Sequence, residues 1–412
     1  MSFPIFKPAD ILLPADIPTN RWCVVACDQF TSQPEYWNQA ADLTACVPST
    51  FSLIFPECWL EQANAAARIA RIQQSMESYL AGGVFRELSG RYIYLERTLP
   101  SGAVRHGLIG ALDLEQYACH PGETGKIRAT EGTVPERIPP RMAVRRGAAL
   151  ELPHVMVLID DPGRTVIEPL AGAADGLTAE YAGELMLGGG AVQGWSLSGT
   201  LAAQVDRALD TLSEKSEMLF AVGDGNHSLA AAKACFEELK KMQPRSVWEN
   251  HPARYALVEL VNIYDDALVF EPIHRIVFDS DRESLLAAMK TELGASGLRT
   301  ADNAQQLYLL FGGEQRRIWL NAPTSPLAVG SLQKFLDGYL ASSSGRVDYI
   351  HGDEELRALL RKNPGAIGFL LPPMPKESLF PGVLADGALP RKTFSMGLAQ
   401  EKRYYMEARK IR

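Results

Sequence analysis

The chain has 412 residues, of which 46% are hydrophobic and 22% charged, a balance typical of a folded protein with a sizeable core. Its net charge of -8 and pI near 5.5 disfavour an extended nucleic-acid surface or a membrane-surface role. No apolar run approaches the roughly twenty residues that span a bilayer, and the N-terminus lacks signal-peptide features, so we expect a cytoplasmic protein.

The first hundred residues contain several predicted elements. An apolar run at 22–27 predicts a strand that delivers Asp28 and Gln29 to its end, and Pro34 suits the first turn of a short helix. Apolar residues three or four apart over 59–80 predict a long amphipathic helix closed by a glycine pair. The segments 91–97 and 104–114, joined by a turn, predict an antiparallel hairpin.

A polar, basic and proline-rich connection follows at 125–141. For any single residue in it, an ordinary solvated loop is the default interpretation. Lys126 and Arg128 would also serve to bind phosphate or carboxylate groups, and Glu131 lies in the same connection.

The middle of the chain alternates predicted strands and helices. Strands are expected at 154–160, 166–170, 192–196 and 218–222, and helices at about 200–212 and 228–241. Beyond them, 254–263 reads as another strand.

The strand at 218–222 is cut off by Gly223-Asp224-Gly225, and a helix begins near His227 or Ser228. The glycines let backbone N–H groups approach a ligand closely, and the helix start points its positive end at the same place, which suits an anion. Asp224, Asn226 and His227 add a carboxylate, an amide and an imidazole. Asp224 or Asn226 alone is explained as well by helix capping. The cluster as a whole favours a site.

A second dense cluster is Phe270 to Phe278, in which Glu271, His274 and Arg275 fall within five positions. In an extended strand Glu271 and Arg275 share one face, and His274 points to the other. A surface ion pair with a half-buried histidine explains this pattern about as well as a site does.

Residues 281–365 alternate helix and strand, and 366–371 predicts a short buried strand. A late loop places Arg391 and Lys392 beside hydroxyl side chains. The six cysteines and seven histidines show no spacing that favours a structural metal.

Four separated stretches resemble the uncharacterised DUF1015 family: 126–131, 224–227, 270–275 and 389–393. That family favours Asp-Gly-His-His-Arg at the central loop, whereas this chain has Asn226 in place of the first histidine and Ser228 in place of the arginine. The loop also resembles the Asp-Gly-x-His-Arg type of the ParB/sulfiredoxin-like superfamily, whose members bind nucleotide phosphates at a helix start. The resemblance implies anion binding here, with triphosphate handling put in doubt by the missing arginine.

The first functional hypothesis is an enzyme of phosphoryl transfer or phosphate hydrolysis that acts on a nucleotide or phosphorylated small molecule. Gly225, Asn226 and Ser228 would cradle phosphate, and Asp224 or Glu271 would accept a proton or hold Mg²⁺ brought by the nucleotide. His227 and His274 would act in acid–base chemistry. Charge on the phosphate would be neutralised by residues from several segments: Lys126, Arg128, Arg275 and Lys392.

The alternative is a non-catalytic regulatory protein that binds a nucleotide or another small anionic ligand with the same residues. A nucleic-acid partner, by analogy with ParB, is disfavoured by the acidic pI, and homo-oligomerisation is left open. No Walker-type loop, dinucleotide glycine fingerprint or Gly-x-Ser-x-Gly elbow occurs.

The expected fold is α+β, with mixed, largely antiparallel sheets and flanking helices in two lobes, and a ParB/sulfiredoxin-like element around the central loop. We expect an N-terminal lobe at 1–200, a strand–loop–helix core at 201–290 and a C-terminal lobe at 291–412.

Overall fold

A computed structural model describes residues 4–60, 62–120 and 122–412 of the chain. It divides into two compact units. Unit 1 contains the described residues up to Leu268 together with Leu398–Arg412, and unit 2 contains Val269–Gly397. These bounds differ from the three segments expected from the sequence, and that threefold division stays a prediction.

The helices alternate with strands along much of the chain. In the described residues the α-helices are α1 (Thr19–Trp22), α2 (Pro34–Thr44), α3 (Ala65–Ala81), α4 (Ile138–Arg145), α5 (Pro169–Ala174), α6 (Gly199–Lys215), α7 (Asn226–Met242), α8 (Arg245–Trp248), α9 (Arg282–Leu293), α10 (Ala328–Ser342), α11 (Asp353–Lys362) and α12 (Leu379–Asp386).

The strands are short at the chain's turns and long in the sheets. They are β1 (Phe6–Lys7), β2 (Ala9–Pro14), β3 (Phe85–Thr98), β4 (Val104–Asp113), β5 (Tyr117–Ala118), β6 (Ile127–Ala129), β7 (Leu150–Glu151), β8 (Met156–Ile159), β9 (Tyr181–Glu184), β10 (Ala191–Leu197), β11 (Phe220–Asp224), β12 (Tyr255–Asn262), β13 (Phe270–Phe278), β14 (Ala295–Ser296), β15 (Gln305–Phe311), β16 (Glu314–Leu320), β17 (Arg346–His351), β18 (Ile367–Leu370), β19 (Phe394–Met396) and β20 (Arg409–Lys410).

Unit 1 is built on a mixed sheet with the order β5-β6-β11-β8-β12-β4-β3-β10-β9, to which β1 and β2 add at β4 and β3. β6 runs parallel to β5 and β11, and β8 runs parallel to β12, whereas the other pairs of this sheet are antiparallel. The α+β class and the largely antiparallel pairing are therefore as expected.

Two hydrophobic cores cover the faces of this sheet, because neighbouring residues of a strand point to opposite sides. Ile93 and Leu95 of β3 belong to one core, and Tyr92 and Tyr94 to the other. The second core also contains Phe236 of α7. Helix α7, which follows β11 in the chain, therefore packs on the face of the sheet that carries Tyr92 and Tyr94.

Several expected elements are present. The hairpin is formed by β3 and β4, with Thr98 opposite Val104 at the turn. The amphipathic helix is α3, which begins at Ala65 rather than at 59 and ends at Ala81, just before Gly82. Helix α7 begins two residues before the expected Ser228, at Asn226.

Two expected strands are wrong. The first is the run at 22–27, whose first residue, Trp22, ends the helix α1. In the rest of the run Val25 makes only an isolated bridge to Tyr404, and the Val24 N–H donates to the Thr50 hydroxyl instead of to a neighbouring strand.

The segment 166–170 is the second error. It forms a turn that leads into α5, since the Asp161 carboxylate accepts the Thr165 and Val166 N–H groups and Pro169 lacks a donor but suits a first helical turn.

Unit 2 contains an antiparallel sheet with the order β14-β16-β15-β18-β13-β17, and β19 pairs with the start of β13. Its faces are again covered by separate cores. Val277 packs with residues of α9 and α10, and Ile276 packs with Leu356 of α11. β13 is therefore a central strand, buried on both sides.

Among the described residues, no helix has the length and apolar character that crossing a bilayer requires.

Candidate functional site

The Asp-Gly-Asn-His loop (Asp224–His227) lies at one edge of the unit 1 sheet. β11 lies between the parallel β6 and the antiparallel β8. The end of β6 and the start of β8 therefore reach the same edge as the end of β11. Thr130 follows β6, and His154 and Val155 precede β8. This topology brings three separate segments to the start of α7.

Gly225 is the residue between β11 and α7, with φ of 81°. Side chains rarely adopt this left-handed backbone conformation, and a Cβ atom here would lie 3.0 Å from Val155 Cγ2 and 3.1 Å from its Cα. The N-cap residue of α7 is therefore a glycine, which has no side chain to cap the first turn. Since the first N–H groups of a helix have no intrahelical acceptor, this turn can donate to an anion.

Asn226 is buried and holds the loop together. Its Oδ1 accepts the Thr130 N–H at 3.2 Å, and its Nδ2 donates to the Thr130 hydroxyl and the Val222 carbonyl, both at 3.2 Å. Thr130 also donates to the Val222 carbonyl at 2.6 Å. The side chain of Asn226 therefore ties β6 to β11. The interpretation of Asp224 or Asn226 as a helix cap is wrong, because Gly225 occupies that position.

Asp224 is paired with a lysine from the C-terminal segment. Its Oδ2 lies 3.2 Å from Nζ of Lys402, whose side chain is only 8% exposed, and its Oδ1 accepts the Gly225 N–H at 3.0 Å. Asp28 provides a second carboxylate, which interacts electrostatically with Lys402 and His154. Burial alone would raise its pKa, but the charges of His154 and Lys402 and a hydrogen bond from Gln29 hold the pKa below its usual value.

Ser228, in the first turn of α7, contacts a buried histidine. Its Oγ lies 3.1 Å from Nε2 of His154, and the Nδ1 of that ring lies 2.9 Å from the hydroxyl of Tyr405. The Tyr405 oxygen also accepts the Cys27 N–H at 3.1 Å. A continuous series of hydrogen bonds therefore runs from the first turn of α7 into unit 1.

A cavity of about 150 Å³ adjoins this series. Ser228, His154 and Tyr405 contribute polar atoms to its lining, and much of its remaining wall is apolar: Leu53, Ile54, Phe55, Met76, Val144 and Leu150. Two arginines also line it, Arg141 paired with Glu57 and Arg145 paired with Glu151. A cavity of this volume holds a group of roughly the size of benzene.

His227 points its Nε2 at the backbone of the proline-rich connection, where it accepts the Val134 N–H at 3.1 Å. An accepting Nε2 carries no proton, so the neutral ring has its proton on Nδ1. The expected role of His227 in acid–base chemistry stays a prediction.

The basic residues predicted before the loop lie elsewhere. The Leu219 and Phe220 N–H groups donate to the Lys126 carbonyl, which places Lys126 at the amino ends of β6 and β11, the opposite edge from the loop. Its Nζ donates to the Ser213 carbonyl at 2.7 Å. Arg128 is buried and pairs with Glu217 at 2.7 Å, just before β11. We therefore do not assign them to the phosphate site. Glu131 follows Thr130 and is half-buried, and its role stays a prediction.

The other predicted residues belong to unit 2. His274 is buried, with Nδ1 accepting the Leu371 N–H at 3.1 Å and Nε2 2.8 Å from Asp353 Oδ1. Burial lowers its pKa, and the Asp353 hydrogen bond only partly offsets this. Glu271 is exposed, opposite Ser395 of β19.

Arg275 is fully buried in β13. Its Nε donates to Gln333 at 3.0 Å, and its two terminal nitrogens donate to the carbonyls of Ile273, Lys392 and Arg391. This guanidinium binds the late basic loop to β13. Lys392 itself is half-buried with φ of 55°. Ligand contacts for Glu271, His274, Arg275 and Lys392 stay predictions.

The sequence interpretation missed Lys402, Tyr405 and His154. His154 had no neighbour in sequence that marked it, because its proximity to Ser228 follows from the pairing of β8 with β11. Lys402 and Tyr405 lie in a C-terminal segment that pairs with Val24 and Val25 across nearly the whole chain. The apolar run before Asp28 predicts a strand end at this residue and gives no indication of which residues surround it.

In the part of the chain that the structure describes, no three His, Cys, Asp or Glu side chains are grouped to hold a metal ion. Mg²⁺ commonly binds through one or two carboxylates together with substrate phosphates, and Asp224 and Asp28 are the carboxylates here.

A family model described as "Protein of unknown function (DUF1015)" matches residues 10–339. The chain belongs to this family. No curated protein matches the sequence. The resemblance of the loop to the ParB/sulfiredoxin-like superfamily stays a prediction.

Solved structures give only distant similarities. A free serine kinase in complex with AMP is 12% identical, covers 72% of this chain and 90% of its own, and has a TM-score of 0.39. A conserved hypothetical protein from Pyrococcus furiosus has the same identity and coverage and a TM-score of 0.36. SbnI from Staphylococcus aureus, with a C-terminal truncation, is 12% identical over 70% of this chain and 82% of its own, with a TM-score of 0.38. At this distance no activity transfers from them to this chain.

Proposed function

We propose that this chain is an enzyme that binds a nucleotide or another phosphorylated small molecule, with a phosphate at the first turn of α7, and transfers or hydrolyses a phosphoryl group. The observation that carries this proposal is the start of α7 behind a left-handed Gly225, an N-cap residue without a side chain. A side chain at 225 would collide with Val155, and the loop keeps a glycine where close backbone approach is needed.

The rigidity of the loop supports the same conclusion. The three hydrogen bonds of Asn226 and the Thr130 hydroxyl fix the end of β11 against β6. A preorganised set of donors needs no rearrangement when it meets charge, which is the main requirement of phosphoryl-transfer chemistry.

The carboxylates near the loop indicate whether the phosphate would bind alone or together with a cation. Asp224 and Asp28 together carry two negative charges, and Lys402 supplies one positive charge beside them. A bare phosphate would meet net repulsion from these three groups, whereas a phosphate that carries Mg²⁺ would bring the missing positive charge. We therefore expect binding to depend on magnesium.

The cavity indicates where the rest of the ligand would lie. It adjoins Ser228 and has a largely apolar wall, so a ligand held by its phosphate at α7 could place an uncharged ring or chain there. An apolar pocket with a few convergent polar groups is the usual form of a small-molecule site.

A regulatory protein that binds the same ligand without turnover is the second candidate. The protein contacts made by His227 favour it, since an imidazole whose Nε2 accepts a backbone N–H is held as a structural element. Both candidates share the binding site and differ only in whether the ligand is consumed.

The experiment is a thermal-shift screen of the full chain with ADP, ATP, CTP and mononucleotides, with and without Mg²⁺, followed by incubation with labelled nucleotide. Stabilisation by a ligand in the presence of Mg²⁺, together with release or transfer of the labelled phosphate, supports the enzyme. Stabilisation without consumption supports the regulatory protein, and no response to any nucleotide would exclude both.

A further inference from the structure

The His154 ring lies between two hydroxyl groups. Its Nδ1 is 2.9 Å from the Tyr405 oxygen, and its Nε2 is 3.1 Å from Ser228 Oγ. Burial raises the pKa of Tyr405 well above its ordinary value, so the phenol keeps its proton. Burial also raises the pKa of the Cys27 thiol, to about 12.

The Tyr405 oxygen can accept a hydrogen bond from the imidazole. It accepts the Cys27 N–H at 3.1 Å and has a second lone pair for Nδ1–H of His154. In the tautomer with the proton on Nδ1, the Nε2 atom carries a lone pair and faces Ser228 Oγ. The serine hydroxyl is then the donor, and His154 is placed as a general base.

A carboxylate is available to stabilise the protonated ring. The charge of His154 is the strongest of the influences that lower the pKa of Asp28, so an imidazolium at 154 and the Asp28 carboxylate attract one another. A hydroxyl, an imidazole within hydrogen-bond distance, a group that orients the imidazole and a nearby negative charge together form the arrangement of an activated nucleophile.

We propose that Ser228 is a nucleophile, activated by His154, which receives the phosphoryl group of the bound ligand as a covalent intermediate. The identity of the transferred group rests on the proposed function, whereas the activation of the serine rests on these hydrogen bonds with the His154 proton on Nδ1. The position of Ser228 supports both, since it lies in the first turn of α7 and on the wall of the cavity.

The steps balance without a further reactant beyond water or an acceptor hydroxyl. Ser228 Oγ attacks phosphorus, the Oγ–P bond forms, the bond from phosphorus to the leaving oxygen breaks, and the serine proton passes to His154 Nε2. His154 returns this proton to the leaving oxygen. In the second half, water or an acceptor hydroxyl gives its proton to His154 and attacks phosphorus, and the Oγ–P bond breaks with the proton returning to serine.

The test uses two probes on the full chain. A fluorophosphonate reports activation of the serine independently of any nucleotide, because Oγ displaces fluoride from phosphorus with His154 as base. ATP labelled in its terminal phosphate, with Mg²⁺ and rapid acid quenching, reports the phosphoryl intermediate. Peptide mass spectrometry locates each adduct, and we expect both on Ser228.

The variants are Ser228→Ala, His154→Gln and, as a control, Ser198→Ala at the start of α6, a helix of the same length, 17 residues. We expect Ser228→Ala to abolish both adducts, His154→Gln to slow fluorophosphonate labelling at least 100-fold, and the control to leave it unchanged. Circular dichroism melting confirms that each variant is folded, and the wild-type labelling itself needs no variant.

The two proposals fail in different ways. A fluorophosphonate adduct on Ser228 without any nucleotide binding keeps the activated serine and excludes the proposed function. Consumption of nucleotide at the wild-type rate by Ser228→Ala, with no adduct on wild type from either probe, overturns the nucleophile and keeps the proposed function.

Discussion

The Asp-Gly-Asn-His loop of unit 1 and the Glu271–Arg275 segment of unit 2 are the two densest clusters of polar side chains in the sequence, and their structures differ. At the loop, backbone donors and a serine hydroxyl lie beside a cavity. In β13, the polar groups of His274 and Arg275 bind to the protein itself, through Leu371, Asp353, Gln333 and backbone carbonyls.

The difference follows from position in the sheet. β13 is a central strand with a core on each face, so its charged and polar side chains are desolvated and need protein partners. The loop follows the end of β11, where the backbone leaves the ladder and its N–H groups become available. Density of polar residues alone therefore does not separate a site from a structural network.

The largest effect on stability is expected for replacement of Arg275. Arg275→Met removes the donor to Gln333 and to three carbonyls, leaving buried acceptors unpaired. We expect a loss of about 3–5 kcal/mol in the free energy of unfolding of unit 2, measured by denaturant titration and by hydrogen exchange of the β13 amides. Arg391→Gln, an exposed neighbour paired with Asp337, is the control and should cost under about 1 kcal/mol. Equal losses in the two variants would show that the buried Arg275 contributes no more to stability than the exposed Arg391.

Asn226→Ala tests whether the loop also contains a structural residue. It deletes the hydrogen bonds to the Thr130 N–H, the Thr130 hydroxyl and the Val222 carbonyl, in a buried place. We expect unit 1 to lose about 2 kcal/mol, read from its denaturation curve. Asn321→Ala serves as the counterpart, since Asn321 makes four hydrogen bonds at a half-exposed position and its loss should be smaller. A neutral Asn226→Ala would contradict the proposed rigidity of the loop.

Gly225→Ala separates the ligand site from ordinary backbone strain. Gly199, which begins α6, also has a positive φ, 55°, but a Cβ there meets no atom within 4 Å. We expect backbone strain of about 1 kcal/mol in both variants, a further loss of stability at 225 from the close contact with Val155, and at least a tenfold loss of nucleotide affinity only at 225, measured by calorimetric titration. Unchanged affinity in Gly225→Ala would place the ligand away from this turn.

The regular elements of both units were largely predictable from sequence patterns. Alternation predicted β3, β4 and β13, apolar spacing predicted α3, and the glycine break predicted the start of α7 within two residues. At 166–170 the apolar pattern failed, because the Asp161 carboxylate competes for the backbone donors that a strand would use.

The site was predictable only in part. Asp224, Gly225, Asn226, His227 and Ser228 are adjacent in sequence, so local chemistry marked them. His154, Lys402 and Tyr405 reach the loop through pairings between distant segments, which no local pattern encodes. Arg275 and Lys126 looked like ligand-binding cations, because sequence shows a charge but not the acceptors that already surround it.

The smallest expected effect is the pH dependence of stability, which should differ between His274 in unit 2 and His106 in unit 1. Burial lowers the pKa of His274 below its ordinary 6.5, so its contribution to stability is present above that value and is lost as pH falls through the lowered folded-state pKa. In unit 1, a hydrogen bond to Asp265 at 3.0 Å raises the pKa of His106, so its contribution is full below 6.5 and is lost as pH rises through the raised pKa. NMR titration of the two imidazoles should therefore give midpoints on opposite sides of 6.5. Each histidine's contribution to stability is the difference in the free energy of unfolding between the wild type and its Gln variant. Between about pH 5 and pH 8, the contributions of His106 and His274 should change in opposite directions. A His274 midpoint at or above 6.5 would mean that this imidazole is hydrated and is not held in a buried network in β13.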